Sequence, residues 1–186
     1  MKVFVDIETT GLDYWSNSII EFAAIITDDK TRVIDEFYKK AKPDGDKWSK
    51  DAERIHGISR ESLRDCISQR ELASSFYSSC LDIKNDILAC DKRVEFIDHS
   101  NGRFDYRFVK CLFAKSDIYY DFFKIFNDDL YDSIIRLARR SGNNYPNYKL
   151  STLCDYHGIH LEHHKAASDC AAAMELYRIY KMELLT

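Results

Sequence analysis

The stretch VFVDIETTGLD, residues 3–13, places two acids inside an otherwise apolar strand, and it decides how the sequence is interpreted. Side chains alternate between the two faces of a strand, so Asp6 and Glu8 point to one side and their apolar neighbours to the other. A carboxylate in apolar surroundings is costly unless its charge is compensated, and two adjacent carboxylates raise each other's pKa. The pair raises the question whether the rest of the chain supplies further ligands for a cation.

The composition predicts one globular domain spanning residues 1–186. The chain is 45% hydrophobic, with 11 Phe and 12 Tyr, and it has only 2 Pro and 6 Gly for linkers. A net charge of −4 indicates no strongly basic nucleic-acid surface, although a metal-bridged site can hold a phosphate without one. The sequence shows neither a signal peptide nor a run of about 18 apolar residues, so we expect a cytoplasmic location and no membrane contact. The six cysteines fit no zinc spacing and are expected to be reduced thiols.

The pattern of apolar residues predicts a mixed sheet flanked by helices. Residues 2–8, 19–27 and 33–40 are typical of strands and form an antiparallel meander, and residues 93–100 form a later strand. Ser59 is a predicted N-cap. Helical spacing predicts helices over residues 50–56, 69–90, 104–115, 132–141, 149–157 and 166–184. Strands first, and strands interleaved with helices afterwards, indicate an α/β fold.

An aromatic-rich stretch at residues 117–132, DIYYDFFKIFNDDLYD, is less clear. It predicts a short helix followed by a strand that ends near Leu130. Its aromatic side chains could stack on bases, or they could form core or a dimer surface.

Two further stretches carry candidate ligands. In IDHSNGRFDYRFV, residues 97–109, a strand and a polar turn precede Asp105, which opens a helix. In HHKAASDCAAA, residues 163–173, Asp169 lies early in a helix rich in alanine, and His164 comes five residues before it. Taken singly, each stretch also has a purely structural explanation. Asp105 could be an acid that the helix dipole favours in a first turn, and Asp169 and His164 could be a solvated acid and a surface histidine.

Together the three stretches resemble the DnaQ-like 3′→5′ exonucleases, the branch of the RNase H-like superfamily with four acids and a histidine. FVDIETTGL is similar to the first motif of that family, D-x-E-T-T-G, and HKAASDCAAA to the third, H-x-A-x-x-D-A. NGRFDYRFV is similar to the looser second motif, and the resemblance covers nearly the whole chain. One departure is Ser100, which stands where the family usually has histidine. His163 adjoins His164, and the five-residue spacing to Asp169 selects His164.

The resemblance implies a five-stranded RNase H-like mixed sheet, an antiparallel meander plus parallel strands, and two divalent ions, Mg²⁺ or Mn²⁺. It implies that Asp6 bridges the ions, that Glu8 and Asp169 complete the coordination of the first ion and that Asp105 holds the second ion. It further implies that His164 is the general base. The substrate-binding residues that it implies are Thr10, Leu12, Ile55, His56 and Asn101.

The implied function is hydrolysis of nucleic acid with a free 3′ end to nucleoside 5′-monophosphates. The ETTG opening favours DNA, the expected substrate form is a single-stranded 3′ end, and an RNA-trimming 3′→5′ exonuclease of the same family is the alternative. An alternative outside the enzymes is a catalytically inactive relative that binds nucleic acid. Such a relative would be expected to have lost an acid, whereas all four acids and the histidine are present. The HGI segment at residues 56–58, which resembles a segment of the family that lines the pocket for the 3′ end, and the His164–Asp169 spacing count against an RNase H-like endonuclease. The short C-terminus suggests a free-standing nuclease, as a monomer or a homodimer.

Overall fold

The computed structural model describes residues 1–88, 94–100, 102–162 and 164–184. It contains a five-stranded sheet in the spatial order β3-β2-β1-β4-β5. The strands are Lys2–Thr9 (β1), Ile19–Thr27 (β2), Val33–Lys40 (β3), Val94–Asp98 (β4) and Phe126–Ser133 (β5). The first three strands pair antiparallel, whereas β1 with β4 and β4 with β5 pair parallel. This arrangement confirms the predicted mixed sheet and makes β1 its central strand.

Helices cover both faces of the sheet. They are Lys50–His56 (α1), Gln69–Leu88 (α2), Phe104–Lys115 (α3), Tyr119–Ile125 (α4), Ile134–Arg140 (α5), Leu150–His157 (α6) and Ala166–Glu183 (α7). One hydrophobic core lies between the sheet and α2, α3 and α4, and a second lies between the sheet and α5, α6 and α7. Within the described residues, none of these helices is both long and apolar enough to cross a membrane.

The central strand alternates as its sequence predicts. Val5 and Ile7 are buried in the core under α2 and α3, whereas Phe4 lies in the core under α7, with its ring centroid 5.2 Å from that of Tyr177. Since even-numbered residues share the face of Phe4, the strand directs Asp6 and Glu8 toward the layer of α7. The two acids therefore lie at the end of a core face.

Three local predictions are wrong in detail. Strand β5 continues to Ser133, beyond the predicted end near Leu130, because its last residues pair with the end of β4, Asp98 opposite Ser133. Helix α5 consequently starts at Ile134 and not at residue 132. Ser59 does not cap a helix directly: its hydroxyl accepts a 3.3 Å hydrogen bond from the Ser62 N–H at a short 3₁₀ turn over Glu61–Leu63.

The aromatic stretch divides between core and surface. Phe122 and Phe126 are fully buried, with Phe126 stacked on Phe76 and Phe122 in contact with Phe126, whereas Tyr119 and Tyr120 are exposed. The cysteines of the described part are free thiols: Cys66, Cys80, Cys111, Cys154 and Cys170. The sixth, Cys90, lies outside the described residues.

Candidate active site

Residues from the two ends of the chain meet at the C-terminal end of β1. Glu8 follows the apolar part of this strand, His164 lies in the turn before α7, and Asp169 lies in the first turn of α7. Each offers one potential ligand atom, and these three atoms all lie within 4.8 Å of one another. Oxygen and imidazole nitrogen donors at this spacing form a group that can hold a metal ion.

Small side chains on α7 allow this approach. Ala166, Ala172 and Ala173 are buried against the sheet, and the Cys170 thiol donates a 3.2 Å hydrogen bond to the carbonyl of Phe4 in β1. Because the helix packs this closely, its first turn brings Asp169 to the end of the strand. The alanine-rich pattern in the sequence thus has a packing role.

Two further acids complete the cluster. Asp105 is buried in the first turn of α3, and burial and the charge of Asp98 raise its pKa well above the ordinary value. Burial, followed by the charges of Asp105, Asp169 and Glu8, raises the pKa of Asp6 in the same direction. Within the described residues, no lysine or arginine forms an ion pair with either acid. The charged forms of both acids are therefore disfavoured when no cation is present, and an added cation would favour them.

The pKa of Glu8 is raised as well. Burial is the largest cause, and the charges of Asp169 and Glu21 add to it, which together raise the pKa of Glu8 from 4.5 to about 7. Glu21 faces Glu8 from the neighbouring strand β2. Like charges on adjacent strands and on α7 thus disfavour ionisation of Glu8 when no cation is bound.

Asp98 is a buried acid that the sequence interpretation missed. It ends β4 with no exposed surface, and its Oδ1 accepts hydrogen bonds from the Ser100 N–H at 3.0 Å and the Tyr131 hydroxyl at 2.6 Å. Burial raises the pKa of Asp98 to about 6, and its charge acts on both Asp6 and Asp105. The available signal was an acid at the end of a predicted apolar strand, whereas Asp6 lies inside one.

The turn between β4 and α3 positions Asp105. The Ser100 hydroxyl accepts a 2.9 Å hydrogen bond from the Phe104 N–H, so the serine that departs from the family pattern holds the start of α3. Arg103 adopts a left-handed backbone with a φ of 63°, and its guanidinium lies 4.6 Å from the centroid of the Tyr131 ring. Asn101 lies outside the described residues.

His164 is exposed and has a left-handed backbone, with a φ of 57°. Non-glycine residues in this region are uncommon, and such strained conformations cluster at functional sites. His163, the neighbouring candidate, lies outside the described residues.

Three of the implied substrate-binding residues surround a cavity of about 290 Å³ beside the acids. Leu12 and Ile55 are 84% and 56% exposed, and they line this cavity together with His56, Glu8 and Phe104. The His56 Nδ1 accepts a 2.9 Å hydrogen bond from the Ile58 N–H, which fixes the orientation of the ring. The cavity thus offers apolar walls and a fixed imidazole next to the carboxylates.

Thr10 differs from Leu12, Ile55 and His56 because its hydroxyl and its carbonyl form hydrogen bonds within the protein. Its hydroxyl accepts hydrogen bonds from Asn17 and Ser18, and its carbonyl accepts one from the Ser49 N–H. A Cβ at Gly11 would come within 2.8 Å of the Asn17 side chain, which explains the glycine in this turn. Thr10 therefore stabilises the turn that carries Leu12, and its contact with substrate stays a prediction.

The family model described as RNase_T, Exonuclease, matches residues 3–177. The chain therefore belongs to this family of exonucleases, which in general depend on divalent metal ions. The oxygen-rich cluster fits that requirement, since it provides hard carboxylate donors.

Among curated proteins, the chain is similar to DNA polymerases III of the PolC type. It is 28% identical over 176 residues to that of Thermotoga petrophila and 27% identical over 183 residues to that of Latilactobacillus sakei. These matches cover 94% and 97% of this chain but only 11% of each polymerase, so the chain spans about a tenth of their length.

Among solved structures, the chain is similar in fold to Escherichia coli exonuclease I. The structure in complex with a dA16 oligonucleotide has a TM-score of 0.78 and 22% identity, and the match covers 98% of this chain and 41% of that one. The structure with a dT13 oligonucleotide has a TM-score of 0.79 and 22% identity, covering 100% and 42%.

Proposed function

We propose that residues 1–186 act as one metal-dependent 3′→5′ exonuclease domain that hydrolyses single-stranded DNA ends to nucleoside 5′-monophosphates. The observation that carries the proposal is the convergence of Glu8, His164 and Asp169 within 4.8 Å, beside the cavity lined by Leu12 and Ile55. This arrangement combines metal ligands, a proton acceptor and a space for a nucleotide in one place.

The carboxylates of Asp6, Glu8, Asp105 and Asp169 would hold two Mg²⁺ or Mn²⁺ ions, with Asp6 shared between them. Bound divalent ions neutralise charge on a phosphate and lower the pKa of water, which assists both the attack and the departure of the leaving group. The raised pKa values of Asp6 and Asp105 support this assignment, because burial and neighbouring carboxylates disfavour the charged forms that a bound cation would favour.

His164 would act as the general base. A water molecule attacks the phosphorus of the terminal phosphodiester, and a ring nitrogen of His164 accepts the proton that the water loses. The bond from phosphorus to the 3′ oxygen of the preceding nucleotide breaks, and that oxygen receives a proton from solvent. The products are a nucleoside 5′-monophosphate and a strand with a new 3′ hydroxyl.

The cavity would bind the 3′-terminal nucleotide. Leu12 and Ile55 offer apolar surface to the base and sugar. His56 accepts a hydrogen bond through Nδ1, which holds its ring in place as part of the cavity wall. Asn101 is a further candidate by its place in the second motif.

The comparisons support DNA as the substrate. The similar curated proteins are DNA polymerases, and the similar exonuclease I structures contain the DNA oligonucleotides dA16 and dT13. Single-stranded DNA in these structures supports single-stranded ends as the preferred form.

The proposal is tested with matched DNA and RNA 20-mers that are labelled at the 5′ or the 3′ end and incubated with the protein and Mg²⁺. We expect 5′-labelled DNA to shorten stepwise, 3′-labelled DNA to release a labelled mononucleotide at once, and the Asp6→Asn variant to do neither. Faster digestion of RNA would assign the chain to the RNA-trimming alternative. Oligonucleotide binding without digestion by the unchanged protein would indicate the inactive relative.

A further inference from the structure

An exposed group of aromatic and cationic residues lies beside the site without a part in the proposed chemistry. We define the α3 patch as Tyr14, Trp15, Arg107, Lys110 and Tyr119, which line a groove of about 240 Å³. Trp15 is 65% exposed, Tyr14 41% and Tyr119 38%. Large aromatic side chains at this exposure suggest a binding surface.

The turn that carries Trp15 is held in place by its own hydrogen bonds. The Asp13 carboxylate accepts from the Trp15 N–H at 3.0 Å and from the Ser16 hydroxyl at 2.6 Å. The Asn17 N–H donates to the Asp13 carbonyl at 2.8 Å, and the Asn17 side chain donates to Thr10 at 3.1 Å. A ring presented by a formed turn loses little conformational entropy when a ligand stacks on it.

The cationic side chains of the patch lie next to aromatic rings. The Arg107 guanidinium is 6.0 Å from the centroid of the Tyr14 ring, and the structure shows no ion pair between Arg107 and a carboxylate of the described residues. The Lys110 amine is 4.9 Å from the Phe123 ring centroid and pairs with Asp128 at 3.0 Å. Arg107 is therefore the cation best placed to meet an anion.

The patch is linked to the nucleotide cavity by a row of packed aromatic rings. The Tyr14 ring contacts that of Phe108 at 6.5 Å between centroids, Phe108 contacts Phe104 at 4.8 Å, and Phe104 lines the cavity. Arg107 and Lys110 follow Asp105 on the same helix, so the patch begins within about two turns of the acid cluster. Helix α3 therefore runs from the cavity, at Phe104, to the groove, at Arg107 and Lys110.

We propose that the α3 patch binds the nucleotides upstream of the 3′ end of single-stranded DNA, with bases stacked on Trp15 and Tyr14 and a phosphate held by Arg107. Exposed rings combined with a cation are the combination that binds single strands without sequence preference. In a chain whose net charge is −4, Arg107 supplies positive charge directly beside the exposed Tyr14 ring. The inference rests on the proposed exonuclease activity and deepens it, since it predicts that substrate length matters.

The test compares dT20 with dT3 for the unchanged protein, Trp15→Ala and Arg107→Ala. Matched controls are Tyr156→Ala, an aromatic residue 55% exposed on α6, and Arg140→Ala, an exposed cation at the end of α5. Both helices lie on the opposite layer of the sheet. We expect the ratio of kcat/KM for dT20 to that for dT3 to fall about ten-fold for Trp15→Ala and to stay constant for both controls.

Binding in the absence of turnover gives a second measurement. In the Asp6→Asn background, fluorescence anisotropy with labelled dT20 gives the binding constant at several salt concentrations. The slope of its logarithm against the logarithm of the salt concentration should be smaller by about 0.7 for Arg107→Ala, because one phosphate contact is lost. Unchanged ratios and slopes in both patch variants, with normal digestion by the unchanged protein, would overturn the patch alone and indicate another occupant, such as a protein. Absence of digestion by the unchanged protein would instead contradict the proposed function.

Discussion

The carboxylate oxygens of Glu8 and Asp169 lie within 4.8 Å of one another, although the two residues come from opposite ends of the chain. The charge of Asp169 contributes to the raised pKa of Glu8, after burial. The fold therefore holds like charges close together at some cost in stability, and ligands that neutralise them should stabilise the native state.

Addition of Mg²⁺ or Mn²⁺ should raise the melting temperature by about 5–10 °C at concentrations near 100 times the dissociation constant, because the ion binds only the folded state. Differential scanning fluorimetry with and without EDTA measures this effect. The Glu8→Gln variant should show a smaller shift, and Asp65→Asn, which changes an exposed acid away from the cluster, should match the unchanged protein. A melting temperature indifferent to millimolar metal would contradict the ligand assignment.

Without metal, stability should fall as pH rises from about 4.5 to 7. The pKa of Glu8 is raised from 4.5 to about 7 in the folded protein, so in this window the folded state binds more protons than the unfolded state. The raised pKa values of Asp6 and Asp105 act in the same direction.

The measurement is the difference in melting temperature between the unchanged protein and Glu8→Gln, in EDTA, from pH 5 to pH 8. The unchanged protein should lose stability relative to the variant as pH rises, and Mg²⁺ should reverse this trend because metal replaces the proton. A difference that does not vary with pH would show that Glu8 is not perturbed in this way.

Replacement of His164 by alanine should slow turnover by roughly 10²–10⁴-fold, the usual contribution of a general base. The metal-induced rise in melting temperature should be retained, since the four carboxylates remain. His163→Ala is the matched control and should keep most of the activity. An inactive His163→Ala combined with an active His164→Ala would reverse the assignment of the two histidines.

Loss of the Tyr131 hydroxyl should destabilise the protein by about 1 kcal/mol, because its 2.6 Å hydrogen bond to the buried Asp98 is lost. We expect Tyr131→Phe to melt about 2–4 °C lower. A double-mutant cycle with Asp98→Asn tests the origin of the effect, since residues in one hydrogen-bonded network show non-additive changes. Strictly additive free energies of unfolding would exclude the proposed coupling.

The sequence by itself determined the features that depend on neighbours within a few residues. Strands β2 and β3 and helices α1 and α3 begin and end where apolar periodicity predicts. The shared face of Asp6 and Glu8 follows from the two-residue repeat of a strand, and the family membership follows from three short motifs. All of these are encoded locally, so a single sequence is enough to find them.

Tertiary structure decided what depends on pairing and packing between distant segments. The length of β5 follows from its register with β4, and the burial of Asp98 follows from the approach of Tyr131. The hydrogen bonds that occupy Thr10, and the contacts that join the α3 patch to the cavity through Phe108, come from segments that the chain brings together only on folding. Periodicity gives the face on which a side chain lies, whereas its partners are fixed by which elements pack against that face.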